Sequence, residues 1–191
     1  MDKDKIIKDV MNIDDGNKYP MLSKKGSGRE NIPRLFKELG FKYGAEIGVF
    51  KGEFSKCLLN GIPGLKLKCI DIWEGYKRHD DNSIYNNVIR DLKDFDAEII
   101  KGRSLDIAKN VEDESLDFVY IDADHHFEPT FNDITEWSKK VKPGGVVSGH
   151  DYFNGGNCGV KQAVDKYINM HNILKWYITR DGRCKSFLWI K

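Results

Sequence analysis

Between residues 43 and 171, apolar runs of strand length alternate five times with amphipathic stretches of helical length. No other feature restricts the fold as much. Repeated βα units set consecutive strands parallel and send each connection across one face of the sheet. Strands are expected at 43–49 (YGAEIGV), 65–73 (LKLKCIDIW), 97–104 (AEIIKGRS), 115–123 (SLDFVYIDA) and 144–151 (GGVVSGHD). Helices are expected after them at 52–61, 82–95, 105–111, 129–141 and 159–171. The helical faces follow a period near 3.6: Phe54, Cys57 and Leu58; Ile84, Val88 and Leu92, with Asn82 as cap; Phe131, Ile134 and Trp137. A further helix at 30–40 carries Ile32, Leu35, Phe36 and Leu39, with Pro33 near its start and Gly40 closing it. Residues 173–191 read as two strands joined at Asp181-Gly182, a hairpin dipeptide.

The pattern predicts an α/β doubly wound sheet with helices on both faces and an antiparallel strand at its end. Residues 1–28 form a polar extension, with a short helix around Ile6, Ile7, Val10 and Met11 and then a long loop, a candidate lid. Residues 29–191 form a single domain, and a chain of 191 residues suits one. Lys+Arg 31 against Asp+Glu 30 leaves a net charge of +1, so no global field attracts nucleic acid or an anionic membrane. Lys24, Lys25 and Arg29 read as a solvated loop. No apolar run reaches the ~18 residues of a membrane span, and the charged N-terminus has no signal-peptide core. Cys57, Cys69, Cys158 and Cys184 lack metal or disulfide spacing and read as reduced thiols of a cytoplasmic protein, Cys57 and Cys69 in the core.

Ligands of open α/β sheets collect at the carboxyl ends of the strands. Here the ends carry Glu46, Gly48, Gly52 and Ser55; Asp71; Arg103 and Ser104; Asp122, Asp124, His125 and His126; and His150, Asp151 and Tyr152. The first turn is G-x-x-x-G, not G-x-G-x-x-G, which speaks against a dinucleotide pyrophosphate. Glu46 beside it would repel a phosphate and suit an ammonium. Asp71, 23 residues after Gly48, is placed to accept ribose hydroxyls, and Ile72 and Trp73 could form an adenine slot. Adjacent His125 and His126 do not make a structural zinc site, and residues 126–128 read as the lead-in to the next helix.

The stretches AEIGVFKGEFS, CIDIW, GRSLDIA, FVYIDADHHFEPTFNDITEWSKKVKPGGVVSGHDY and GVKQAV resemble class I S-adenosylmethionine-dependent methyltransferases. The nearer likeness is to small O-methyltransferases of the catechol, caffeoyl-CoA and macrocin types. The resemblance implies a Rossmann-like sheet of seven strands with a reversed C-terminal β-hairpin. It implies that Glu46, Gly48, Phe50, Gly52 and Ser55 hold the methionine end, Asp71 the ribose, and Ile72, Arg103 and Ser104 the adenine, with Asp122 central. It further implies Mg²⁺ on Asp122 and Asp151 and a general base at His125. Tyr152 departs from the family's metal set, which makes His150 either a substitute ligand or a second base.

The leading expectation is thus methyl transfer from S-adenosylmethionine to the hydroxyl of a small molecule such as a sugar or metabolite. A nicotinamide-dependent oxidoreductase and a non-catalytic scaffold of the same fold are the alternatives. Trp73, Tyr76, Arg78, His79 and Tyr152 are candidate contacts to the acceptor. Nucleic acid and membrane are not expected partners, and the oligomeric state stays open, with a homodimer among the options.

Overall fold

The computed structural model describes residues 2–13, 19–24, 27–76, 80–153, 155–180 and 184–191. Among them the chain runs α1 (Lys3–Val10), β1 (Met21–Leu22), a 3-10 turn (Arg29–Asn31), α2 (Ile32–Glu38), β2 (Tyr43–Ile47), α3 (Glu53–Gly61), β3 (Lys66–Asp71) and α4 (Asp81–Leu92). It continues with β4 (Ala97–Lys101), α5 (Ser104–Ala108), β5 (Leu116–Ile121), α6 (Phe127–Lys140), β6 (Val141–Gly149), α7 (Val160–Met170), β7 (Trp176–Ile178) and β8 (Phe187–Ile190). One sheet holds every strand in the order β1-β7-β8-β6-β5-β2-β3-β4. Strands β2 to β6 are parallel, and β8 inserts antiparallel between β6 and β7. Strand order reverses between β2 and β5, which opens a crevice above their carboxyl ends.

The doubly wound class and the reversed strand agree with the sequence; the strand count does not. Eight strands are present among the described residues where seven were expected. The eighth, β1, pairs parallel with β7 through Met21–Tyr177 and Leu22–Ile178. A strand of two residues has no alternation to read. The Asp181-Gly182 dipeptide lies outside the described residues.

β5 explains its own apolar run. Phe118 and Tyr120 face the core built with α1 to α4, and Val119 and Ile121 face the core built with α5 to α7. A strand covered on both faces is apolar at every position. Phe36 of α2 stacks on Phe118 with centroids 4.2 Å apart. A Cβ at Gly44 would lie 2.1 Å from that ring, so the β2 position beneath it is glycine. The N-terminal extension joins this core, with Ile7 at 0% and Met11 at 1% exposure.

Three local readings change. Cys57 is exposed and only Cys69 is buried, because the inward stripe of α3 runs through Phe54, Ser55, Leu58 and Leu59. Asp80, not Asn82, caps α4, its carboxylate accepting from the Asn82 and Ser83 amides. Helix α6 starts at Phe127, so Phe127 and Glu128 form its first turn and only His126 precedes it.

Candidate active site

The strand exits on one rim are unusually bent. Phe50 after β2, Trp73 after β3 and Asp151 after β6 have φ of 51°, 42° and 58°. Left-handed backbone at non-glycine residues costs energy and concentrates at functional sites. Gly48 has φ +91°, and a Cβ there would lie 2.2 Å from the Asp122 carbonyl oxygen. The turn after β2 is therefore pressed onto the turn after β5. Gly52, at φ +76°, has room for a side chain but needs the left-handed angle to start α3.

Above these turns lies a cavity of about 880 Å³. Of the predicted cofactor residues, Gly48, Asp71, Ile72, Arg103 and Ser104 line it, as does Asp124. The others stand behind it or beside it. Glu46 is buried under the glycine turn and accepts a hydrogen bond from Ser55. Burial pushes its carboxyl up to about 8, against the opposing effect of Ser55. Trp73 is fully buried, donating from Nε1 to the Phe50 carbonyl at 2.9 Å, and does not line the cavity.

Asp71 is held on three sides. Its Oδ2 accepts from the Phe50 amide at 2.8 Å and the Tyr76 hydroxyl at 2.7 Å, and its Oδ1 accepts from the Trp73 amide at 2.8 Å. Tyr76 also packs on the Phe50 ring at 4.7 Å. Ser104 donates to Asp133 at 2.5 Å and accepts from Trp137 Nε1 at 2.7 Å. Burial raises the Asp133 carboxyl to about 6. Asp133 lines the cavity floor and was not singled out from the sequence, where it reads as one polar position of a helix.

Next to the cavity, the ends of β5 and β6 bring together Asp122, His125, His150 and Asp151. His125 Nε2 lies 2.9 Å from Asp151 Oδ2 and 3.7 Å from Asp122 Oδ1. His150 Nδ1 lies 3.5 Å from Asp151 and 3.8 Å from Asp122. Asp122 and Asp151 together push His125 up to about 10. His125, then His150, hold Asp151 well below the usual carboxylate range. His126 sits apart, its ring and amide both bonded to Asp124 at 2.7 Å.

Asp122, His125 and Asp151 each offer one ligand atom, all within 4.8 Å of one another. The two hard carboxylate oxygens of Asp122 and Asp151 fit a divalent cation, and the His125 nitrogen beside them serves either as a third ligand or as a base, not both. Tyr152 contributes nothing there, since it is buried and its hydroxyl donates to Asp165 at 2.7 Å. Nor does it reach the cavity as an acceptor contact. Arg78 and His79 lie outside the described residues, as does Lys25.

One residue overturns its sequence reading outright. Arg29, expected in a solvated loop, reaches Asp122 Oδ2 at 3.2 Å. Its guanidinium lies 4.2 Å over the Phe54 ring and 5.6 Å over Tyr120. Burial alone would lower its pKa, but Tyr120 and then Asp122 outweigh that and keep it charged. The contact spans 93 residues of sequence, and nothing local announces it.

Comparison with known proteins adds the remaining findings. Residues 45–152 match the family described as "Methyltransferase domain". A Mycobacterium avium (strain 104) protein named "Putative O-methyltransferase" is 32% identical over 136 residues, 70% of this chain and 59% of its own length. The chain thus spans well under two thirds of that relative. Among solved structures, the O-methyltransferase from Bacillus cereus in complex with SAH superposes with a TM-score of 0.65 at 18% identity, covering 99% of this chain and 90% of that one. The O-methyltransferase TomG from Streptomyces achromogenes, in complex with SAM, gives 0.64 at 18% identity over 85% of this chain and 78% of that one. At such identity the structures speak for the fold. No helix among the described residues is long and apolar enough to cross a membrane.

Proposed function

The chain belongs to the methyltransferase domain family, and on that premise we propose that it transfers a methyl group from S-adenosylmethionine to a hydroxyl of a small molecule. The observation that carries this reading is the pairing of two adjoining sites on one rim. One is the cavity over Gly48 and Asp71; the other is the carboxylate–imidazole cluster at its side. The first suits an adenosyl ligand and the second suits the removal of a hydroxyl proton.

S-adenosylmethionine supplies an electrophilic methyl group. Asp71, fixed by the Phe50 and Trp73 amides, would accept from the ribose, taking the place that the Tyr76 hydroxyl now fills. Ile72, Arg103 and Ser104 would border the adenine, with Asp133 beneath Ser104. Glu46, Gly48, Phe50, Gly52 and Ser55 shape the methionine end, where approach of an ammonium would favour the ionised form of Glu46.

His125 is the proposed general base, with Asp151 fixing its ring as an acid fixes the imidazole of a catalytic triad. With its pKa near 10 the free protein holds that ring protonated at neutral pH. A divalent cation such as Mg²⁺ on Asp122 and Asp151 would offset the charge that retains this proton and acidify a nearby hydroxyl. The metal and the base therefore belong to one reading. His150, with its side chain only 13% exposed, serves better as a support for Asp151 than as a second base.

Isothermal titration with S-adenosylhomocysteine and a turnover assay on a panel of hydroxylated acceptors test the proposal. Asp71→Ala should weaken S-adenosylhomocysteine binding at least tenfold. His125→Ala should lower turnover about 10²- to 10⁴-fold with cofactor affinity nearly unchanged. Absence of S-adenosylhomocysteine binding by the parent protein would refute the reading, and full turnover by the His125 variant would remove the base.

A further inference from the structure

The cluster at the ends of β5 and β6 already contains a cation that belongs to the chain. Arg29 reaches it from the 3-10 turn before α2, bonded to Asp122 at 3.2 Å and with its guanidinium carbon 4.2 Å from the centre of the Phe54 ring. The titratable groups around it come from three strands: Tyr120 at the end of β5 with Asp122 after it, Glu46 from β2 and Asp151 after β6. Its side chain is 31% exposed, so it is only partly hydrated. The segment that carries it is tied down. The Gly28 amide donates to Glu30 at 2.8 Å, and the Arg180 amide donates to Ser23 Oγ at 2.8 Å. Ser23 Oγ in turn donates to the Ser27 carbonyl at 2.6 Å.

We infer that Arg29 is a resident counter-cation that competes with a divalent metal for Asp122, and so sets how tightly this site takes one. The inference rests on the metal-assisted part of the proposed function. Asp122 accepts the guanidinium and is also one of the two carboxylates proposed to hold the metal. A metal on Asp122 would sit within a few ångströms of a fixed positive charge in a partly buried setting, where like charges are poorly screened. Either the guanidinium gives up its bond to Asp122 or the metal binds weakly. A guanidinium suits the first state because it can pair with a carboxylate while its face stays on an aromatic ring. The arrangement makes Arg29 a determinant of metal affinity and selectivity, a positioning residue and not a catalytic one.

Mn²⁺ binding to the full chain, read by electron paramagnetic resonance of the free ion, tests this without any turnover assay. Arg29→Gln should bind Mn²⁺ at least tenfold more tightly than the parent protein. Millimolar guanidinium ion should reverse that gain in the variant and leave the parent unaffected. Adding Asp122→Asn to Arg29→Gln should abolish the gain. Arg29→Met, which keeps an apolar stem on Phe54, gives the same test should the glutamine variant fold poorly. Parent and variants binding Mn²⁺ equally, or variants binding it less, overturns the inference and leaves the metal-assisted reading standing. Binding by the variants alone supports the inference and removes the metal from the parent's reaction. Binding by none of them overturns both.

Discussion

At the scale of single residues, buried polar groups give the sharpest expectations. Asp133 is held at about 6 by burial, above the ordinary carboxylate value, so the fold favours its protonated form. The stability this supplies is fully present below about pH 4 and is lost as pH rises through about 6. Asp133→Asn should keep the Ser104 bond and flatten that loss, leaving the variant more stable than the parent at pH 8 by on the order of 3 kcal/mol. Urea unfolding of both proteins across pH 4 to 8 checks it. Gly48→Ala should destabilise by about 2 kcal/mol or more, since the new methyl meets the Asp122 carbonyl at 2.2 Å and the backbone must hold φ +91°. Strand-end residues such as Asp71 and Asp122 were legible because their positions follow from the strands that carry them. Arg29 was not, because its partner is fixed by how the chain crosses the sheet and no periodicity encodes that crossing.

At the scale of elements, the segment before α2 matters most. β1 extends the sheet at β7, and the next residues are fastened by a buried hydroxyl. Ser23 is 1% exposed and bonds both the Ser27 carbonyl and the Arg180 amide. Ser23→Ala should cost about 0.5–1.5 kcal/mol for the lost hydrogen bonds, since the Arg180 amide still donates to the Ser27 carbonyl at 3.2 Å. It should also raise amide exchange at residues 27–31 more than in β5. Exchange mass spectrometry reads both regions in one experiment, and equal change in both would show a global loss instead. The five βα units were legible because each buries a face with its own period. The two residues of β1 were not, since pairing with β7 alone makes them a strand.

At the scale of the whole molecule, the sheet separates two cores, and the proposed cofactor cavity lies over the rim where both end. A ligand there touches elements of both layers. S-adenosylhomocysteine at a hundredfold excess over its Kd should therefore stabilise the protein by about 2.7 kcal/mol. Differential scanning calorimetry should show a single transition whose midpoint rises with ligand concentration; an unmoved midpoint would count against binding. The bent exits and the shared rim lie between residues 43 and 171, with α3 to α7 on the two faces, and the alternation that builds them can be read from one end to the other. Arg29 lies upstream of that stretch, on a segment fastened to β7 near the far end of the chain. The repeating units can be read by themselves but are not packed by themselves: Phe36 of α2 and Phe187, Leu188 and Trp189 of β8 belong to the buried cores. Trimming the protein to residues 43–171 would strip α1, α2, β7 and β8 from the two cores as well as Arg29 from Asp122, so fragments of this chain should be compared by stability and by ion requirement before they are compared by rate.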